Sequence, residues 1–143
     1  MLGVIMCILS GAAMSLQGVF NTRLSEETGL LESNFIVQTI AFLLAAVSLF
    51  WAKGSFGGVM GINKLYLGGG GVLAMVITLT VMLGIKNLSP AVAISIILIS
   101  QLAAAACIDA FGWFDTEKAV FGLRKIIGLA VMIAGIVIFS WKK

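Results

Sequence analysis

PAVAISIILISQLAAAACIDA, residues 90–110, carries a single charged side chain, Asp109, near its far end. A helix needs about 20 apolar residues to cross the hydrocarbon core of a bilayer, and soluble strands and core helices rarely run so long without charge. The stretch therefore reads as a membrane span. Just before it, Lys86-Asn87-Leu88-Ser89-Pro90 reads as a tight turn. Ser89 is placed to cap the helix, and Pro90, the only proline, falls at its first position. The spans on either side of that turn are expected to form an antiparallel hairpin. Working outward, four more apolar stretches appear, so that the five run roughly 2–20, 35–52, 66–85, 90–110 and 123–141. The expected fold is an all-α integral membrane protein, one transmembrane domain over residues 1–143 with five spanning helices and short connections.

Composition narrows the function classes. The chain is 61% hydrophobic and 10% charged, too apolar for a soluble domain. The net charge of +3 comes from basic residues at helix ends, where they can snorkel to headgroups, so nucleic acid is not an expected partner. The absence of histidine removes the commonest general base and zinc ligand. Cys7 and Cys107 fall inside apolar stretches and read as buried neutral thiols, with neither a disulfide framework nor metal-ligand spacing. No catalytic triad or nucleotide fingerprint is present, and the tetraglycine Gly68–Gly71 is not followed by the Lys-Ser/Thr of a phosphate loop. The chain is expected to be neither an enzyme nor a cofactor carrier. The N-terminal stretch lacks the basic start and short apolar run of a signal peptide, and its polar residues suit a working helix.

The connections are expected to be a loop over Ser25–Ser33 with Glu26, Glu27 and Glu32, a glycine-rich segment over Lys53–Lys64, and an interfacial segment over Phe111–Leu123. Trp51, Tyr66, Trp113 and Trp141 fall at expected helix ends, as an aromatic belt requires. Five spans put the two termini on opposite sides of the membrane. Lys53, Lys64, Lys118, Arg124 and Lys125 then face Arg23, Lys86, Lys142 and Lys143, five against four. Orientation normally follows a Lys/Arg excess in cytoplasmic loops. The near-tie predicts weak orientation and hence dual topology, in which the chain pairs with an inverted copy of itself to give the inverted repeat of many transporters.

Polar side chains inside spans usually face a protein interior or a wet cavity. At about 100° per residue, Ser10, Gln17 and Asn21 share a stripe of the first helix with Gly3 and Met14. In the second, Asn34, Gln38, Ala41, Ala45 and Ser48 share one; Gln38 suits a cavity, and the small residues from Ala41 onward suit close packing. In the fourth, Ser95, Leu98, Leu102, Ala105 and Asp109 share a face, with Gln101 to one side. Asp109, the one carboxylate within a span, could bind a cation or carry a proton, or could be a helix-end acid paired with Lys118 or Arg124. In the fifth, Gly128 and Gly135 lie on one face with Met132 and Phe139 and read as a packing seam, one that could lie between subunits. The tetraglycine reads as close packing or a locally weakened helix.

The run Gly11-Ala-Ala-Met-Ser-Leu-Gln17-Gly-Val-Phe-Asn21-Thr-Arg-Leu24 resembles the G-x5-Q-x3-N-x2-L opening of the YdcZ-type family, small five-helix proteins of the drug/metabolite transporter superfamily. The likeness continues through Tyr66-Leu-Gly-Gly-Gly-Gly-Val-Leu, is sharpest in Ser100-Gln101-Leu-Ala-Ala-Ala-Ala-Cys-Ile-Asp109-Ala-Phe-Gly112, and ends in Leu123-Arg-Lys-Ile-Ile-Gly128 and Gly135. Ala110 stands where the family often has His, and Ser33-Asn34-Phe35 is more polar than usual. The resemblance implies a bacterial inner-membrane exporter subunit working as an antiparallel homodimer, or with an oppositely oriented homologous chain. The plan is also similar to that of the four-helix small multidrug exporters. Those carry a central Glu in the first helix, whereas this first helix carries none, and Gln17 cannot replace it as a proton carrier.

The expected function is export of a small polar or cationic metabolite or drug by alternating access, with proton coupling an option. Ser10, Gln17, Asn21, Gln38, Ser95 and Gln101 are the expected cavity residues, Asp109 the coupling group, and Gly128 and Gly135 the packing positions. Two other readings fit the same sequence: a passive dual-topology ion channel, and a non-transporting accessory subunit of a membrane complex.

Overall fold

The computed structural model describes residues 1–54, 56–118 and 122–141. Five α-helices account for most of it: α1 (Leu2–Thr28), α2 (Leu30–Ser48), α3 (Lys64–Asn87), α4 (Pro90–Phe111) and α5 (Leu123–Ser140). Short 3-10 turns cover Leu49–Trp51, Phe56–Gly61 and Trp113–Asp115. The first four helices, the second together with its 3-10 extension, are long and apolar enough to cross a membrane. At 18 residues α5 reaches about 27 Å, slightly less than a hydrocarbon core of about 30 Å, and its first turn holds Arg124 and Lys125.

The chain divides into two compact units, Met1–Asn87 and Leu88–Lys143. In the first, α1, α2 and α3 each pack on the other two. In the second, α4 packs on α5.

The connection between α1 and α2 corrects the expected loop over Ser25–Ser33. Glu26, Glu27 and Thr28 continue α1, Glu32 lies in the first turn of α2, and Gly29 alone joins the helices. Gly29 has φ 100°, a conformation in which a side chain is strained. Its N–H donates to the Ser25 carbonyl and its own carbonyl accepts from the Ser33 N–H. The acids stay helical because α1, at 27 residues and about 40 Å, outruns the hydrocarbon, so its last turns stand among headgroups where charge costs little. Arg23 and Glu26 form an ion pair there at 2.9 Å.

Other helix ends follow the sequence more closely. Ser89 caps α4, its Oγ accepting from the Val92 N–H at 3.4 Å, with Pro90 at the first helical position. α3 opens at Lys64, two residues before Tyr66, because the Asn63 Oδ1 accepts from the Leu65 N–H at 3.0 Å. Gly112, in the left-handed region at φ 65°, ends α4. Trp51, Tyr66, Trp113 and Trp141 lie at helix ends and are exposed, and Trp113 stacks on Phe111 at 5.2 Å between ring centroids.

The interior reverses the soluble pattern. In the first unit the buried residues are Gly18, Asn21, Thr22, Ser25, Ser33, Asn34, Met82 and Ile85, more polar than apolar. Outside stand large hydrophobics such as Leu9, Phe42 and Leu73. Such an outer surface suits lipid, which gives apolar side chains no reason to hide. Cys7 and Cys107 follow the same rule: both are free thiols, but the chain leaves both exposed, correcting the buried reading.

The close approach that places the interior is at Gly18. A Cβ there would lie 2.8 Å from Ile85 Cδ1 and 3.2 Å from Val81 Cγ1, so glycine lets α1 and α3 pack closely. The stripes expected to pack behave differently. Ala41, Ala45 and Ser48 are exposed, and Cβ atoms at Gly68–Gly71, Gly128 and Gly135 would meet nothing within 4 Å. Among the described residues those small residues meet no close neighbour, and α3 runs unbroken through the tetraglycine. Lys142 and Lys143, two of the four basic residues on the expected far side, lie outside the described residues.

Candidate functional site

Hydroxyls inside the spans largely satisfy themselves. Ser15, Thr22, Thr39, Thr78, Thr80 and Ser100 each donate to the carbonyl four residues back, at 2.7–3.0 Å. Side-chain amides are the groups left over. Gln17, Gln38 and Gln101 make no side-chain hydrogen bond among the described residues, so their bonding capacity remains open to a ligand, to water or to another chain.

In the first unit these amides gather around one polar junction. Ser33 is completely buried where α2 meets both neighbours, its Oγ 3.3 Å from the Asn21 carbonyl oxygen and 3.6 Å from Met82 Sδ. Its single proton is shared between the two acceptors. On the α1–α3 side lies a small cavity of about 50 Å³ with Gln17, Asn21 and Thr78 in its wall. Asn21 is buried and Gln17 exposed. On the α2–α3 side lies a larger one of about 560 Å³, with Asn34 and Gln38 on its α2 wall and Gly71, Ala74 and Met75 on its α3 wall.

Asn34 is the unusual member. It is 5% exposed, and its Oδ1 has no hydrogen-bond partner among the described residues. A buried acceptor left unpaired costs about 1–3 kcal/mol. Native structures hold few such groups, and they concentrate where function requires them. The sequence places Asn34 one turn before Gln38 on the same stripe. What the pattern could not show is that neighbouring helices would close over the oxygen without pairing it. Gly71 contributes by absence: with no side chain from that position, the α3 wall leaves room opposite the amides.

In the second unit, α4 and α5 flank a cavity of about 470 Å³ that includes Asp109 and Lys125. Lys125 Nζ stands 3.9 Å from Asp109 Oδ2, each side chain about half exposed. The acid is thus paired with a basic residue at the start of α5, as one of its two readings held, but with Lys125 in place of Lys118 or Arg124. Ser95 is half-buried and Gln101 exposed, and neither lines this cavity. Ser10 is exposed and lines neither cavity of the first unit. Of the expected site residues, Gln17 and Asn21 share one cavity wall, Gln38 adjoins Asn34, Asp109 adjoins Lys125, and Ser10, Ser95 and Gln101 line none of these cavities. No cluster of three or more metal-ligating side chains occurs among the described residues.

A family model described as "Putative inner membrane exporter, YdcZ" matches residues 2–138. Neither a curated protein nor a solved structure matches the chain.

Proposed function

The chain belongs to the YdcZ family of multi-pass inner-membrane transporters, and from that premise we propose that it is one subunit of an exporter for small polar or cationic molecules, working by alternating access. The observation that carries this reading is the amide pair Asn34 and Gln38 on the wall of a roughly 560 Å³ cavity between apolar helices. Ligand sites in membrane proteins combine a few placed polar groups with an apolar wall, and this cavity falls in the usual size range for small molecules. A substrate N–H or O–H, met by rotation of the Asn34 amide toward the cavity, supplies the missing partner of Oδ1. Gln38, free to donate and accept, fixes the other end of the polar group. Gln17 and Asn21 form a second, narrower amide site on α1.

Alternating access needs two arrangements of similar energy. In this reading they come from an antiparallel dimer, whose second subunit is an identical inverted chain or an oppositely oriented homologue. The five-to-four basic count leaves a chain with five spans free to insert either way. The exposed small-residue stripes, Ala41 to Ser48 on α2 and Gly128 to Gly135 on α5, offer close approach to a second chain. Single cysteines near the C-terminus, in a Cys7- and Cys107-free background, should then label from both faces of the membrane in intact cells. Labelling from one face only would remove the self-sufficient homodimer and leave the oppositely oriented homologue.

Transport itself is tested with purified protein in liposomes on a solid-supported membrane. A panel of primary amines, amides, alcohols and quaternary ammonium compounds should include members that drive a saturable response. Gln38→Ala should weaken that response by about tenfold, the worth of one good hydrogen bond in an apolar site. No response from any compound, with folded protein in the membrane, would overturn the exporter reading.

A further inference from the structure

We propose that the α2–α3 cavity selects an uncharged ligand whose polar end is a carboxamide, lactam or urea, and rejects cations and anions of the same shape. The inference narrows the substrate class and rests on that cavity being the substrate site. Asn34 and Gln38 stand in its wall among apolar side chains such as Phe35 and Met75, and no charged side chain among the described residues lines it. The charges nearest along the two helices are held away. Glu32 lies about 160° around α2 from Asn34 and about 120° from Gln38. Its carboxylate folds back over the helix start, where a Cβ at Gly29 would collide with it. On α3, Lys64 lies about 10 Å before Gly71 and Lys86 about 16 Å beyond Met75, at the two ends of the helix.

Depth gives this lack of charge its consequence. Gln38 is about 12 Å along α2 from Leu30, close to the middle of a 22-residue span. An ion brought there loses its hydration, and hydrogen bonds from two neutral amides do not offset that loss. Hydrogen-bond capacity then selects the polar group. Each amide offers a carbonyl acceptor and an NH2 donor. Asn34 and Gln38 stand one helical turn apart on one face, and the Asn34 Oδ1 is unpaired among the described residues. The complement of such a wall carries a donor and an acceptor side by side. A carboxamide does: its N–H donates to the Asn34 Oδ1, and its carbonyl accepts from the Gln38 Nε2. An ammonium or amidinium has donors only and leaves the wall's NH2 groups facing a cation. A carboxylate has acceptors only and leaves the Asn34 Oδ1 unpaired. Phe35 and Met75 offer the apolar remainder of the ligand a flat and an adaptable surface.

Benzamide, benzamidinium and benzoate share size and planar shape, and at neutral pH they are neutral, positive and negative. Ligand-observed saturation-transfer NMR on the purified full chain in detergent reads the binding of each. The signal lost in Asn34→Leu or Gln38→Ala is the cavity's share, which sets aside binding elsewhere, as at Asp109. In that share benzamide should bind at least about tenfold more tightly than either ion. Gln38→Glu should reverse the order and favour benzamidinium by about tenfold, because a carboxylate in the wall pairs with an amidinium through two parallel N–H···O bonds. Benzamidinium or benzoate binding the wild-type cavity as tightly as benzamide would overturn the neutral class while leaving the cavity as a site for ions. An unchanged order in Gln38→Glu would overturn the assignment of selection to the two amides. Binding of none of the three would remove the cavity as a small-molecule site, and the inference with it.

Discussion

Ser33→Leu should leave no monodisperse protein after extraction into mild detergent. Ser33 is fully buried at the point where α1, α2 and α3 converge, beside the Asn21 carbonyl and Met82 Sδ. Leucine adds two heavy atoms to a fully buried site, and overpacking of this kind costs about 1–3 kcal/mol in well-packed interiors. The helices here lack the hydrophobic drive that would absorb such a cost in water, because lipid is as apolar as their outer faces. Ser33→Ala separates volume from hydrogen bonding: it should lose about 1 kcal/mol and elute normally. Fluorescence-detected size exclusion and a thermal melt of both variants decide the matter. A wild-type melt for Ser33→Leu would mean that the junction is not the core of the unit.

The features legible in the sequence were those the bilayer imposes. Hydrocarbon thickness sets span length, so the apolar runs located α3, α4 and α5 to within about two residues at each end, and Ser89-Pro90 announced the start of α4, whereas α1 runs eight residues beyond its expected end and α2 starts five before its expected start. Two kinds of feature were not legible. The acids around Gly29 read as a loop, because charge disfavours hydrocarbon. Beyond the hydrocarbon a charged helix is stable, and only Gly29 needed a non-helical backbone. Packing was the second. In water an apolar face must be covered, so periodicity reveals the core. In lipid both faces can be apolar, and a small-residue stripe says only that something could approach. Gly18 and the stripe from Gly128 to Gly135 look alike as sequence. A Cβ at Gly18 would press on Ile85 and Val81, whereas Cβ atoms at Gly128 and Gly135 would meet nothing within 4 Å among the described residues. The polar stripes were more telling. The pairs Gln17–Asn21 and Asn34–Gln38, each four residues apart, fall together on cavity walls, whereas Gln101 is exposed and lines none of the three cavities.

Asn34→Leu should make the protein more stable and stop transport. The Asn34 Oδ1 is buried without a partner, so the wild-type fold carries a penalty of about 1–3 kcal/mol that leucine, with the same number of side-chain heavy atoms as asparagine, does not. Relieving even 1 kcal/mol should raise Tm by a few degrees, at roughly 4 °C per kcal/mol for a chain of this size. The same change removes the acceptor that a substrate would satisfy, so the substrate-driven response should fall by at least about tenfold. The opposite signs give the experiment its force. Most inactivating substitutions destabilise, and diminished flux with lowered Tm says only that the protein is damaged. Diminished flux with raised Tm identifies a group kept at the expense of stability because the activity needs it. A lowered Tm would mean that the amide is satisfied in the native membrane, and the unpaired oxygen would no longer mark a site. A raised Tm with undiminished flux would move the substrate route away from the α2–α3 cavity, leaving Gln17 and Asn21 on α1 as the next pair of amides to test.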